Sequence, residues 1–95
     1  MSRQRENLFK ALADGQRRRI LTLLKQGEQP AGYLAEQLEI SPATASHHLA
    51  RLRDAELVRV RREGQQRIYA INVSVVEDAL LLLTELISPK EEKQP

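Results

Sequence analysis

The dipeptide Ser41-Pro42 constrains this chain more than any other feature. A serine oxygen can accept a hydrogen bond from a first-turn N–H, and proline in the first helical position has no N–H for the helix to miss. Together they predict a helix that opens at Pro42. Ala45, Leu49 and Leu52 follow at i, i+4 and i+7, which gives that helix one buried side and carries it to about Asp54. Its opposite side holds Ala43, His47, Ala50 and Asp54, with Thr44 and Ser46 flanking the N-terminal end and Arg51 one turn later. A shorter helix over roughly Ala31 to Leu38, with Leu34, Ala35 and Leu38 on one side, precedes it across a turn at Glu39 and Ile40. Two helices joined this closely have the layout of a helix-turn-helix.

The rest of the chain builds around that unit. Leu57 to Arg62 and Gln66 to Ile71 read as two short strands, and Glu63-Gly64-Gln65 supplies the positive φ that a tight hairpin needs. A basic hairpin directly after the second helix is a wing. Upstream, Leu8, Phe9 and Leu12 mark a helix from Gln4 to Ala13. Gly15 breaks it from a second helix, about Gln16 to Gln26, with Asp14 as N-cap and Gly27 as C′ residue. Downstream, Ser74-x-x-Glu77 reads as a capping box opening a helix to about Ile87 that Pro89 closes. The predicted fold is mainly α with a small β-hairpin, in the order helix, helix, helix, helix, hairpin, helix. Ninety-five residues allow one domain, placed at 1–88, with 89–95 as a disordered tail.

Composition narrows the chemistry. There is no cysteine, so disulfides, thiolate metal sites and thiol redox sensing are all excluded. The longest apolar run, Ala79 to Leu83, is far short of the ~20 residues of a membrane-spanning helix. The charged start MSRQRENLF shows no secretory signal, so a cytoplasmic location is expected. Only Phe9, Tyr33 and Tyr69 are aromatic, too few for single-strand binding by base stacking. No Gly-rich phosphate loop is present. Nor is there a Ser, His and acid set away from the helix at Pro42, so no enzyme is expected. Residues 41–67 carry six Lys/Arg against three acids, whereas 72–95 carry two against five. That asymmetry suits a polyanion on one face.

Small side chains with hydroxyl and imidazole groups suit a helix entering the ~12 Å major groove of duplex DNA. The plainer alternative is a solvated helix side, with Arg51 and Arg53 paired to Asp54 and Glu56. On that view Arg59, Arg61, Arg62 and Arg67 merely guard a strand edge against aggregation. The capped helix, its small polar face and the four hairpin arginines nevertheless fall together within residues 41–67.

The run ISPATASHHLARLRDAELVRVRREGQQRIYAI resembles the recognition helix and wing of the ArsR/SmtB-type winged helix-turn-helix repressors. KALADGQRRRILTLLKQGE resembles that family's first two helices, with Gly15-Gln16 where Pro-Thr is usual. The likeness spans about residues 7–83, and Ser46-His47-His48-Leu49 is its most specific part. It implies a homodimer that binds an imperfect inverted repeat in double-stranded DNA and represses transcription. The implied base contacts fall on Pro42, Ala43, Ser46 and His47, of which Pro42 and Ala43 offer no side-chain hydrogen bond. Thr44 and Arg51 complete the helix contacts, and Arg61, Arg62, Gln65 and Arg67 form the wing's.

The family is best known for metal sensing, and here the sequence departs from it. The stretch where one sensor site would place cysteines reads EQPAGYLA, and the last helix has Glu77, Asp78 and Glu85 but no histidine. His47 and His48 are adjacent, about 100° apart on a helix, and cannot chelate one ion together. No metal and no cofactor is therefore expected, and the pattern is similar to the ligand-free autorepressor branch that includes the SdpR-like proteins. His48 is expected to pack rather than bind.

The last helix carries Val75, Val76, Ala79, Leu80, Leu82, Leu83, Leu86 and Ile87, an arc wider than the ~100° one core takes. A second copy is expected to cover it, with Leu8, Val76, Ala79, Leu82, Leu83 and Leu86 in the seam. The first helix of the same chain is the other candidate cover. Two functions stand against each other at this point: a DNA-binding dimeric repressor, and a winged-helix module that binds protein partners. Either leaves room for an unidentified inducer or regulatory protein.

Overall fold

The computed structural model describes residues 3–89, so of the predicted tail at 89–95 all but Pro89 lies outside the described residues. Helices α1 (Arg3–Leu12) and α2 (Gly15–Leu24) are followed by a two-residue strand, β1 (Gln29–Pro30). Then come α3 (Ala31–Leu38), α4 (Pro42–Asp54), β2 (Val58–Glu63), β3 (Gln66–Ile71) and α5 (Val73–Ile87). The expected order holds, with one addition. β1 pairs antiparallel with β3 and turns the hairpin into a three-stranded sheet of order β1-β3-β2. A two-residue strand containing proline has no alternation to read. It exists because Pro30 sits on an edge, where its missing N–H costs no ladder bond.

Local chemistry explains most boundaries. Asp14 Oδ1 accepts from the N–H groups of Gln16 (2.8 Å) and Arg17 (3.2 Å), which makes it the N-cap of α2. The Arg17 N–H is the main reason its carboxyl is held below the usual carboxylate range. Gly15 is thus the first residue of α2 rather than the break before it. Ser41 Oγ accepts from the Thr44 N–H at 3.0 Å, and α4 opens at Pro42 as expected.

Both helices of the helix-turn-helix end in the same way. The N–H of Glu39 reaches the Glu36 carbonyl and that of Ile40 the Ala35 carbonyl, while Glu56 and Leu57 repeat the pattern on Arg53 and Leu52. This paired arrangement needs a left-handed residue, usually glycine. Here Glu39 (φ 57°) and Glu56 (φ 62°) take it. The hairpin turn does use glycine, Gly64 at φ 61°, between the paired residues Glu63 and Gln66.

The capping box at Ser74 does not form. Asn72 is the N-cap of α5, its carbonyl accepting from Val75 and Val76, and Ser74 lies inside the first turn. The reason is tertiary. Asn72 N donates to the Leu57 carbonyl at 2.8 Å and Asn72 Nδ2 to the Glu56 carbonyl at 3.0 Å. These bonds pin the exit from the sheet to the end of α4, so the helix starts at Val73, two residues before a cap at Ser74 would start it. At the far end Ser88 is extended (ψ 135°), as a residue before proline must be.

The core gathers Leu8, Ile20, Leu24, Leu34, Leu49, Leu52 and Leu57, none more than 1% exposed. Every helix from α1 to α4 contributes to it, so α4 is held from behind while its other side stays open.

Candidate nucleic-acid interface

Along α4 the buried residues are Ala45, His48, Leu49 and Leu52. Ala43, His47, Ala50 and Asp54 are exposed on the opposite side, as the periodicity predicts. Pro42, Thr44, Ser46 and Arg51 are exposed too. Thr44 is locally engaged, its Oγ1 accepting from Ser41 Oγ at 2.9 Å.

Two grooves flank this outward face. On one side Ser46, Ala50 and Arg53 of α4 meet Tyr33 of α3 and Gln65 and Arg67 of the hairpin, around an open groove of about 910 Å³. On the other, His47 and Arg51 face Asn7 and Lys10 of α1 and Arg17 of α2 across a groove of about 400 Å³. The recognition face is therefore a low ridge of alanines and a histidine between two margins that carry lysine and arginine, with Asp54 lining both grooves and Glu36 the wing-side one.

Arg17 fixes one margin. Its guanidinium donates to the carbonyls of Ala11 (Nε, 2.8 Å) and Lys10 (Nη2, 3.3 Å), tying down the carboxyl end of α1. Its Nη1 lies 3.2 Å from His48 Nδ1. A guanidinium has no acceptor, so His48 accepts at Nδ1 and carries its proton on Nε2. His48 is thus a buried packing and bonding residue, as expected. The two histidine rings are tilted 59° with centroids 5.9 Å apart, His47 outward and His48 inward.

The hairpin arginines divide. Arg61 turns to Glu28, Nη2 to Oε1 at 2.8 Å and Nε to Oε2 at 3.4 Å, with Glu63 at 3.7 Å. The hydrogen bond from Arg61 holds the Glu28 carboxyl below the usual range, and Glu28 in turn raises Arg61. Arg61, expected as a wing contact beside Arg62, is paired with Glu28 here while its side chain stays half exposed. Arg62 and Arg67 face each other across the strands. Arg53, which only the plainer alternative paired with Asp54 or Glu56, forms no ion pair among the described residues and lines the wing-side groove. Its i+7 spacing from Ser46 was the signal that places both on one flank.

Among the described residues no group of three His, Cys, Asp or Glu side chains could hold a metal ion. In α5, Asp78 and Glu85 face Arg5 and Leu8 of α1 across a small groove, a donor set of two carboxylates with a cation beside them. This does not fit a soft or imidazole-preferring metal.

Of the expected seam residues, Leu8 (1% exposed) and Ala79 (4%) are buried inside the chain's own core. The reason is that α1 packs Leu8 inward and α5 is anchored at Ala79. Val76 and Leu82 are half-buried, and Leu83 and Leu86 are exposed, together with Leu80, Leu81 and Ile87. No helix among the described residues is long and apolar enough to cross a membrane.

The same arrangement recurs in known proteins. The transcriptional repressor SdpR of Bacillus subtilis is 42% identical over 82 residues, 86% of this chain and 91% of that protein. The transcriptional activator HlyU of Vibrio cholerae is 38% identical over 79 residues, 83% of this chain and 73% of that one. The solution structure of the homodimeric winged helix-turn-helix DNA-binding domain Mb0332 from Mycobacterium bovis superimposes with a TM-score of 0.74 at 32% identity, covering 97% of this chain and 88% of that one. The model of bacterial regulatory proteins of the arsR family matches residues 14–60, from the cap of α2 through the helix-turn-helix into β2. With relatives this similar over most of its length, and a winged helix-turn-helix built on the same elements, the chain belongs to the arsR family of bacterial regulatory proteins.

Proposed function

We propose that this chain acts in the cytoplasm as a homodimeric transcriptional repressor that reads an inverted-repeat operator in double-stranded DNA and does so without metal sensing. The observation that carries the reading is the ridge of α4. Its N-terminal half bears only small or polar side chains, and cations flank it on both sides. A major groove has that shape in negative: base edges at the floor and a phosphate chain along each wall.

Ser46 and His47 lie where base edges come within reach, near the N-terminal end of the recognition helix. Pro42 and Ala43 offer apolar contact, Thr44 stands exposed in the first turn, Arg51 stands at the Lys10 margin, and Gln65 and Arg67 serve from the wing. The family contains activators as well as repressors, as the name of HlyU states. Repression is the reading here because the most similar relative described above, SdpR, is a repressor.

The test is selection of duplex fragments from the source genome, followed by binding at several salt concentrations. Preference for the selected site over random sequence by at least ~10³-fold is expected. His47→Ala should lose ~1–3 kcal/mol of discrimination at one base pair per half-site while random-sequence affinity holds. Equal weakening on both duplexes would make His47 a phosphate contact. No salt-dependent duplex binding at all would favour a module that binds protein partners.

A second expectation concerns regulation. A metal can change operator affinity only by binding the two conformations of the protein unequally, which requires a site. Micromolar zinc, cadmium, nickel or arsenite should leave operator affinity within about twofold, because carboxylates alone favour hard ions and bind them weakly. A tenfold loss with zinc, abolished by replacing Glu77 and Asp78, would show that a sensor site exists.

A further inference from the structure

Alternation along β2 puts Val58, Val60 and Arg62 on one face, and the register sets them opposite Ile71, Tyr69 and Arg67. Val58 and Tyr69 belong to the core, so this is the inward face of the hairpin, and it turns from apolar to basic at its tip. Arg62 and Arg67 are then direct cross-strand neighbours of like charge, a pairing that weakens a sheet. Neither has a carboxylate partner among the described residues. Arg53 joins them from α4: it lines the same groove of about 240 Å³, with Val60 and Arg61 completing the wall. Arg61 is engaged by Glu28, and no acidic residue lines the groove.

We propose that Arg53, Arg62 and Arg67 form one site for a single phosphodiester, gripped jointly by the recognition helix and the wing, with Arg61 as the positioning residue that ties the hairpin to the turn at Glu28. The inference rests on the DNA reading and gives it a residue-level anchor that joins Arg53 of the recognition helix to Arg62 and Arg67 of the wing. Planar guanidinium forks match phosphate oxygens in pairs. A bound anion also relieves the repulsion among the arginines that share one small groove, of which only Arg61 has a carboxylate partner among the described residues. Because the site spans α4 and the hairpin, filling it fixes the wing's angle against the recognition helix.

Binding of the full chain to a labelled random duplex of about 30 base pairs, at about 0.1 M KCl and above, tests this. Arg53→Ala and Arg67→Ala should each weaken binding about tenfold, and the double variant about twentyfold rather than a hundredfold, since both lose the same phosphate. The salt slope of the double variant should fall by about one. Arg61→Ala should cost less than about threefold, as expected for a guanidinium held by Glu28 and not by the phosphate. All three side chains are exposed, and Arg53→Lys serves as a second variant, keeping the slope while losing part of the affinity.

Multiplicative losses, or a larger loss from Arg61→Ala than from Arg53→Ala, would overturn the shared site while leaving DNA binding intact. Wild-type protein that ignores the duplex would remove both readings. Millimolar inorganic phosphate that raises the Tm of the wild type but not of the double variant, with DNA affinity equal in the two, would give the groove to a free anion and overturn the assignment to DNA.

Discussion

Leu86→Glu is expected to convert the protein to a monomer and to weaken operator binding by about 100-fold or more, since joining two half-site readers multiplies affinity by roughly 10²–10⁴. Leu86 is 78% exposed in the single chain, and Leu80, Leu81, Leu83 and Ile87 beside it are also exposed. A patch of this kind on a small protein marks an interaction site. The glutamate would set an unpaired carboxylate into that seam, where desolvation is costly. It leaves the chain's own core untouched, because α5 is anchored through Val75, Val76 and Ala79, not Leu86. The variant should therefore keep its helical content while sedimenting at half the mass. Leu82→Glu is a harsher version, since Leu82 is already half-buried in the single chain. A wild-type protein that sediments as a monomer at micromolar concentration would end the dimer reading.

Two adjacent positions in α4 should respond in opposite ways. Leu49 is 1% exposed, and Leu49→Ala should cost about 2–5 kcal/mol through lost burial and the cavity left behind. For a domain of this size that lowers Tm by about 10 °C or more. Ala50→Glu lies on the exposed ridge, where substitutions usually change stability by no more than about 0.5 kcal/mol. Yet it places a carboxylate against base edges and phosphates, and should abolish measurable duplex binding with Tm nearly unchanged. Thermal unfolding and anisotropy on the same samples separate the two. If Ala50→Glu still binds the duplex normally, α4 does not enter the groove.

These neighbouring residues also mark what could be read without a structure. The helix at Pro42, its buried stripe and its open ridge were fixed by bonds and periodicities local to a dozen residues. Ser41 caps its own third successor, and Ala45, Leu49 and Leu52 recur at the helical repeat. The hairpin was legible for the same reason, because Gly64 between two alternating runs needs no distant partner.

What tertiary structure decided are the features whose partners lie far along the chain. Ser74-x-x-Glu77 has the pattern of a cap, but Asn72 is held by Glu56 and Leu57, and that fixes where α5 begins. β1 has no pattern of its own and exists only because β3 offers it an edge. Arg61 and Arg62 are adjacent and chemically identical, so nothing local tells them apart. Both line the groove with Arg53, but Arg61 bonds to Glu28, which is 33 residues away in sequence, while Arg62 stands opposite Arg67. Local hydrogen bonding and apolar repeats are written into consecutive residues. Which charge meets which depends on how the elements pack, and a sequence sets that only through the whole fold.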